Sequence, residues 1–334
     1  MEVSDIRFRR SVFISGGFPL PAPQSWPGQR LKSIAVPADP MQALYFHLLS
    51  PFNFIRSAGQ ILSRSSCQRE KQMTEQVLRF VDGAAYEQNM GIWSRFAGEI
   101  FLDWLAPSAG LRWIDIGCGS GAFTELLIAR CAPADVQGID PSDGQLDYAR
   151  KRPGVSTAKF QQGDAMAIPF GDGRFDAAVM ALVLVFVPEP RKGIAEMVRV
   201  LGAGGIAATY MWDMLGGGFP LDPVLAELRA MGLSPTRPPQ LEVSQIETLR
   251  QLWTDAGLQG VETREITVQR SFADFDEFWT INLKSPSIGP IVAAMSAAEL
   301  QRFREGVHAR VPADSSGRIT RTARANAVKG RRPK

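Results

Sequence analysis

The stretch from Arg112 to Ala122, which reads Arg-Trp-Ile-Asp-Ile-Gly-Cys-Gly-Ser-Gly-Ala, constrains the fold more than any other part of this 334-residue chain. Trp113, Ile114 and Ile116 supply a short apolar, β-branched run suited to a buried strand. Glycines at 117, 119 and 121 end that run, and the helix-compatible Phe-Thr-Glu-Leu-Leu-Ile follows. A strand, a tight turn and a helix are therefore expected. With no Cβ at three alternate positions, a ligand can lie against the backbone and meet the unbonded N–H groups of the helix start. Such a turn suits a nucleotide-like molecule.

Gly117, Gly119 and Ala122 also satisfy the dinucleotide-binding pattern, so the glycines alone do not say which nucleotide. Asp115 discriminates. It stands two residues before the first glycine, at the carboxyl end of the strand, where its charge attracts a cationic amino group and repels a pyrophosphate. Asp140 closes a second apolar strand, Val136 to Ile139, and lies 23 residues after Gly117. That is close to the spacing at which a carboxylate accepts both ribose hydroxyls. A third strand, Ala158 to Gln162, leads into Gly163-Asp164-Ala165. Ile168-Pro169-Phe170, Asp172 and Arg174-Phe175-Asp176 then precede a fully apolar fourth strand from Ala177 to Leu182.

Pro190 opens the next helix, with Ile194, Met197, Val198 and Leu201 toward the sheet and Gly202, Gly204 and Gly205 as its stop. Ile206 to Met211 make the fifth strand. Strands alternating with helices at this spacing specify a mainly parallel sheet covered on both faces, with ligands at the carboxyl ends of its strands. Asp115, Asp140, Asp164 and Ala181 fall at or near such ends.

Asp115-Ile116-Gly117-Cys118-Gly119-Ser120-Gly121 resembles motif I of the class I methyltransferases that use S-adenosylmethionine. The Ile-Pro-Phe and Phe-Asp sequences after it resemble the family's second motif. The resemblance implies an α/β, Rossmann-like, doubly wound fold with a mainly parallel seven-stranded sheet, an antiparallel last strand and inserted helices covering the substrate site. It implies S-adenosyl-L-methionine as cofactor, held by Asp115, Gly117, Cys118, Gly119, Gly121, Asp140, Pro141, Asp164, Ala165 and Ala181. Of these, Asp164 would take the exocyclic amine of adenine and the N–H of Ala165 a ring nitrogen.

The implied reaction is methyl transfer to a small-molecule acceptor by direct displacement, which needs alignment and exclusion of water rather than a metal or a covalent intermediate. An NAD(P)-dependent oxidoreductase is the rival reading, disfavoured by Asp115 and by the lack of a recognisable hydride-transfer set. A noncatalytic S-adenosylmethionine-binding regulator would share the same residues. Some relatives place a histidine base after the fourth strand, but here Val183 to Val187 reads Val-Leu-Val-Phe-Val. Tyr86, Tyr210 and Asp213 are the nearest base candidates by motif position, and no catalytic residue is assigned.

Residues 1 to 72 carry nine Lys/Arg against four Asp/Glu, and residues 315 to 334 carry seven Lys/Arg and no acid. The remaining 21 basic and 30 acidic residues give 73 to 314 a net charge of −9, a poor surface for nucleic acid. Three cysteines have neither metal-ligand nor disulfide-framework spacing, which suits a reducing cytoplasm. Pro51 and Gly59 interrupt the apolar stretch from Met41 to Leu62, so stable membrane insertion is not expected.

Residues 1 to 72 are read as a poorly structured extension, rich in Pro, Gly and Ser over its first forty positions, and 73 to 330 as the methyltransferase domain. That domain divides into a cofactor half, 108 to 213, and a substrate-covering half, 214 to 317. Residues 331 to 334 form a basic, solvated tail.

In the substrate-covering half, Asp222-Pro223, Ser244 with Glu247, Ser271 with Asp274, and Ser296 with Glu299 are expected to start helices, as Ser142 with Gln145 does earlier. Glu262 to Gln269 can alternate as a strand. Phe272, Phe275, Phe278 and Trp279 line a helix that either covers the substrate or simply fills the core. Residues 317 to 329 are expected to close the sheet.

Overall fold

The computed structural model describes residues 90–285 and 287–334. Tyr86, the change of character at Met73 and everything expected of residues 1 to 72 lie outside the described residues. Seven strands form one sheet: β1 (Arg112–Ile116), β2 (Asp135–Asp140), β3 (Ala158–Gln162), β4 (Phe175–Ala181), β5 (Leu201–Trp212), β6 (Gln259–Phe272) and β7 (Ile319–Arg331). Their order is β3-β2-β1-β4-β5-β7-β6. Pairing is parallel from β3 through β5, and β7 runs antiparallel to both β5 and β6. This is the doubly wound, Rossmann-like α/β architecture with an antiparallel last strand that the sequence pattern implied.

Side chains alternate across a strand, so each central strand feeds two cores. Trp113, Val179 and Tyr210 point to one face, where they pack with α1 (Ile92–Leu105) and α2 (Ala122–Cys131). Ile114, Met180 and Met211 point to the other, against α4 (Pro190–Val200) and α6 (Ile246–Asp255). The helix α3 (Asp143–Arg150) follows β2, and α5 (Asp222–Ala230), α7 (Phe275–Leu283), α8 (Gly289–Ala293) and α9 (Ala297–Arg310) belong to the insertions around β6.

Several helix boundaries differ from the expected ones. Gly202, Gly204 and Gly205 do not stop α4; they lie inside β5, where the register with β4 shifts. The helix ends because Leu201 is already extended, and Gly205 is needed for the crowding that results: a Cβ there would stand 2.9 Å from the Gly202 carbonyl. At α5, Leu221 is the N-cap and Asp222 falls in the first turn. Ser244 is buried in a short 3-10 turn and donates to the Leu241 carbonyl at 2.7 Å, so α6 starts without a side-chain cap.

Ser271 stays in β6, bonded to Thr320 at 2.9 Å. Asp274 caps α7 instead, accepting from the Glu277 N–H at 2.8 Å while the Glu277 carboxylate takes the Ala273 N–H. The Ser142 cap of α3 and the Ser296–Glu299 box of α9 form as expected. The common cause is that Ser and Asp both favour caps, and the point where a strand stops pairing decides which one serves. The tail is also less free than expected: β7 runs to Arg331, whose guanidinium donates to the Gly204 carbonyl at 3.1 Å, and Arg332 donates to that of Arg199 at 3.2 Å.

Candidate functional site

The glycine turn sits at the carboxyl ends of β1 and β2. The N–H groups of Gly117 and Cys118 both donate to the Ile139 carbonyl, at 2.7 and 3.0 Å, which ties the turn to the neighbouring strand. Gly117, Gly119 and Gly121 have φ of 75°, 51° and 78°, the left-handed region that side chains avoid. Gly117 is doubly required, because a Cβ would stand 2.6 Å from the Val183 methyls. Above Gly119, by contrast, a Cβ would meet only the Gln145 side chain, at 4.0 Å. The turn is therefore packed tightly from below and open above, as a backbone cradle for a ligand must be.

Asp115 is fully buried beneath this cradle. The Thr124 hydroxyl donates to its Oδ2 at 2.6 Å, while Oδ1 is buried with no hydrogen-bond partner. Burial pushes its pKa up to about 7, opposed by the Thr124 hydrogen bond and reinforced by the charge of Asp140. Thr124 was not singled out from sequence, although a threonine in the first turn of the helix after a glycine turn is placed to reach back toward the strand end. The Cys118 thiol is also buried, and desolvation drives its pKa well above the ordinary thiol value.

Asp140 bridges two elements. Its Oδ2 accepts from the Gly119 N–H at 3.0 Å and its Oδ1 from the Ser142 N–H at 2.9 Å, so it joins the glycine turn to the start of α3. Burial raises its pKa against the pull of those two hydrogen bonds. Ser142 caps α3 by accepting from Gln145 at 3.4 Å, while its own N–H serves Asp140. Pro141 is exposed beside it.

The next strand end is close by: Asp140 pairs with Gln162, and the Gly163 N–H donates to the Asp140 carbonyl at 3.2 Å. Asp164 is exposed and accepts from the Met166 N–H at 2.8 Å, which fixes the loop that carries Ala165. Ala181 is the last residue of β4, and Leu182 after it holds φ of 63° while donating to the Tyr210 carbonyl at 2.9 Å. A non-glycine residue in that region is strained, and strain of this kind concentrates at ligand sites.

The base candidates fare differently from expectation. Tyr210 is buried among Phe101 and Phe123, with ring centroids 4.8 and 5.9 Å away, and its hydroxyl donates to the Ser94 carbonyl at 3.4 Å. Asp213 is buried in an ion pair with Arg324, whose Nε donates at 3.0 Å, and it accepts the Gly216 N–H at 2.9 Å. Both positions hold structure together.

The second motif is structural as well. Asp176 accepts from the backbone and guanidinium of Arg112 at 2.7 to 2.9 Å, and Arg199 donates to the carbonyls of Ile168 and Phe170. The rings of α7 pack inward: Phe278 meets Phe272 edge-on at 5.1 Å, and Trp279 meets Phe303 at 5.2 Å.

Residues 114–209, which hold the glycine turn and every strand end just described, match the family model described as a methyltransferase domain. They form a class I methyltransferase domain. Among curated proteins, the demethylmenaquinone methyltransferase of Clavibacter sepedonicus is 40% identical over 102 residues, 30% of this chain and 41% of that protein. The chloroplastic 2-methyl-6-phytyl-1,4-hydroquinone methyltransferase 2 of Oryza sativa subsp. japonica is 37% identical over 100 residues, 30% of this chain and 29% of that protein. The chain thus matches less than half the length of either relative.

The solved structure of phosphoethanolamine N-methyltransferase 2 from Haemonchus contortus, in complex with S-adenosyl-L-methionine, is 17% identical with a TM-score of 0.45, over 77% of this chain and 60% of that one. Among the described residues, no helix of the methyltransferase domain or its insertions is long and apolar enough to cross a membrane.

Proposed function

We propose that this methyltransferase domain binds S-adenosylmethionine over the glycine turn and directs its methyl group to a small-molecule acceptor. Asp115 carries the reading. A buried carboxylate with an unpaired oxygen is costly unless a cation meets it. The α-ammonium of the methionine moiety would complete Asp115, whereas the pyrophosphate of a dinucleotide would add a second negative charge.

Thr124 fixes the carboxylate's orientation. Gly119 gives close approach to the backbone, and Asp140 and Asp164 stand where ribose hydroxyls and the adenine amine can be accepted. When bound, the cofactor supplies an electrophilic methyl carbon on a sulfonium whose departure leaves a neutral thioether. The protein's task is then alignment, with Ala181 and the strained Leu182 bordering the place where an acceptor enters. The names of the relatives, which specify a hydroquinone and a demethylmenaquinone, support a quinone or hydroquinone ring as the acceptor class.

Calorimetry of the full chain with S-adenosylhomocysteine and, separately, with NAD tests the reading. The thioether product is expected to bind and to raise the Tm, by about 2.7 kcal/mol of added stability at 100 times its Kd. Binding of NAD without binding of S-adenosylhomocysteine would overturn the proposal.

A further inference from the structure

Asp115 lies one residue before the end of β1 and Thr124 is the third residue of α2, so the glycine turn joins the two. Both are fully buried. The Thr124 hydroxyl donates to Oδ2 of Asp115 at 2.6 Å, and Oδ1 has no hydrogen-bond partner. A carboxylate wholly out of water needs a cation or several donors, and one neutral hydroxyl is too little to hold it ionised.

The groups around Asp115 do not make up the difference. Asp140, at the end of β2, bears a like charge and spends its own oxygens on the N–H groups of Gly119 and Ser142. In the turn, burial drives the Cys118 pKa up and keeps that thiol neutral. Arg150, which acts on Cys118, is exposed and paired with Asp147 at 2.8 Å. Gly138 and Val179, in register with Asp115 on the neighbouring strands, carry no charge. With its pKa pushed up to about 7, Asp115 holds a proton in about half of the ligand-free molecules at neutral pH.

We propose that the site takes up S-adenosylmethionine with release of a proton from Asp115, and that Thr124 is the positioning residue that favours the ionised carboxylate. The inference deepens the methyltransferase reading and rests on it, because the α-ammonium of the ligand supplies the cation that the fold lacks. No further reactant is needed. The O–H bond of the neutral carboxyl breaks, its electron pair stays on the oxygen and the proton passes to solvent. Thr124 acts only through Asp115: its hydroxyl donates to the charged oxygen and so favours the form that an ammonium selects.

The sign of the pH dependence follows. The ligand-free protein holds the proton above the usual carboxylate range, and the complex gives it up. Affinity therefore rises with pH, about tenfold for each unit below about 7, and levels off above that. A nucleoside without an ammonium gains nothing from ionised Asp115.

Calorimetry of the full chain with S-adenosylhomocysteine, run in two buffers of different ionisation enthalpy, counts the protons exchanged on binding. Release of about one proton is expected at about pH 6, falling toward none at about pH 8. 5′-Methylthioadenosine keeps the adenine, ribose and thioether but has no ammonium, and is expected to bind without release. Thr124→Val is expected to move the midpoint of release to higher pH and to weaken S-adenosylhomocysteine at least about threefold at about pH 6, the loss fading as pH rises. Thr124→Ser, which keeps the hydroxyl, is expected to restore both quantities. Thr124→Ala serves the same comparison if Thr124→Val does not fold.

A threonine needed only for packing would leave the midpoint where it is in every variant, and that result overturns the proposal. So does binding of S-adenosylhomocysteine without proton release, or equal release with 5′-methylthioadenosine, which would assign the proton to Asp140. Each of these leaves cofactor binding standing. Failure of S-adenosylhomocysteine to bind at any pH is the different result that overturns the cofactor reading, and the proposal with it.

Discussion

The two halves of the sheet solve different problems with different means. From β1 to β4 the structure at the strand ends is largely set by backbone: three glycines of positive φ, N–H groups committed to Ile139, and short strands in parallel register. From β5 to β7 the work is done by side chains, with a long antiparallel β6–β7 pair, interlocked rings on α7 and α9, and the Arg324–Asp213 clasp. A backbone cradle is indifferent to most of its neighbours and can be reused unchanged. A side-chain surface is specific to what it meets.

The sharpest break between the halves comes from the ring core. Phe278→Ala is expected to cost about 3 to 5 kcal/mol of stability, because Phe278 is buried against Phe272 and Phe275. Affinity for S-adenosylhomocysteine in the remaining folded protein should stay within twofold. Urea titration followed by calorimetry reads both quantities, and a matching loss of affinity would show that the halves are not separable.

Asp115 gives the opposite pattern. Its folded pKa, about 7, lies above that of a carboxyl in the unfolded chain. The folded state therefore holds the proton more tightly, and ionisation costs stability progressively as pH rises from about 4 to 7, to at most about 4 kcal/mol above that. Asp115→Asn should thus make the ligand-free protein more stable than wild type at pH 8, with the advantage vanishing near pH 4. It should also weaken S-adenosylhomocysteine at least tenfold at pH 8. Thermal melts across that range check the sign. A variant less stable than wild type at pH 8 would mean that Asp115 is already compensated within the fold.

Asp140 sharpens the comparison with a smaller effect. Asp140→Ala should weaken S-adenosylhomocysteine by roughly tenfold, equivalent to about 1.4 kcal/mol. Because the carboxylate also accepts from Gly119 and Ser142, a stability loss of about 1 to 2 kcal/mol should accompany it, whereas Asp140→Asn, which keeps one acceptor, should lose less of both. Calorimetry with circular dichroism on the three proteins separates the two contributions. Unchanged affinity in a folded Asp140→Ala protein would place the ribose elsewhere.

What the sequence determined by itself was whatever short-range chemistry enforces. Glycines at 117, 119 and 121 permit the left-handed turn, apolar runs make buried strands, and Asp115 and Asp140 stand at or near strand ends beside that turn. The Ser296–Glu299 box is local in the same sense. Only the tertiary structure could decide that Asp274 rather than Ser271 caps α7, since that depends on β6 pairing with β7 as far as Ile319.

Tertiary contact likewise turned Tyr210 and Asp213 from base candidates into a core ring and half of a clasp, because their partners Phe101 and Arg324 lie more than a hundred residues away. Arg270 and Arg321 are ordinary surface residues in sequence. They are brought opposite each other only when β7 inserts between β5 and β6, because register is a property of the assembled sheet and not of either strand alone.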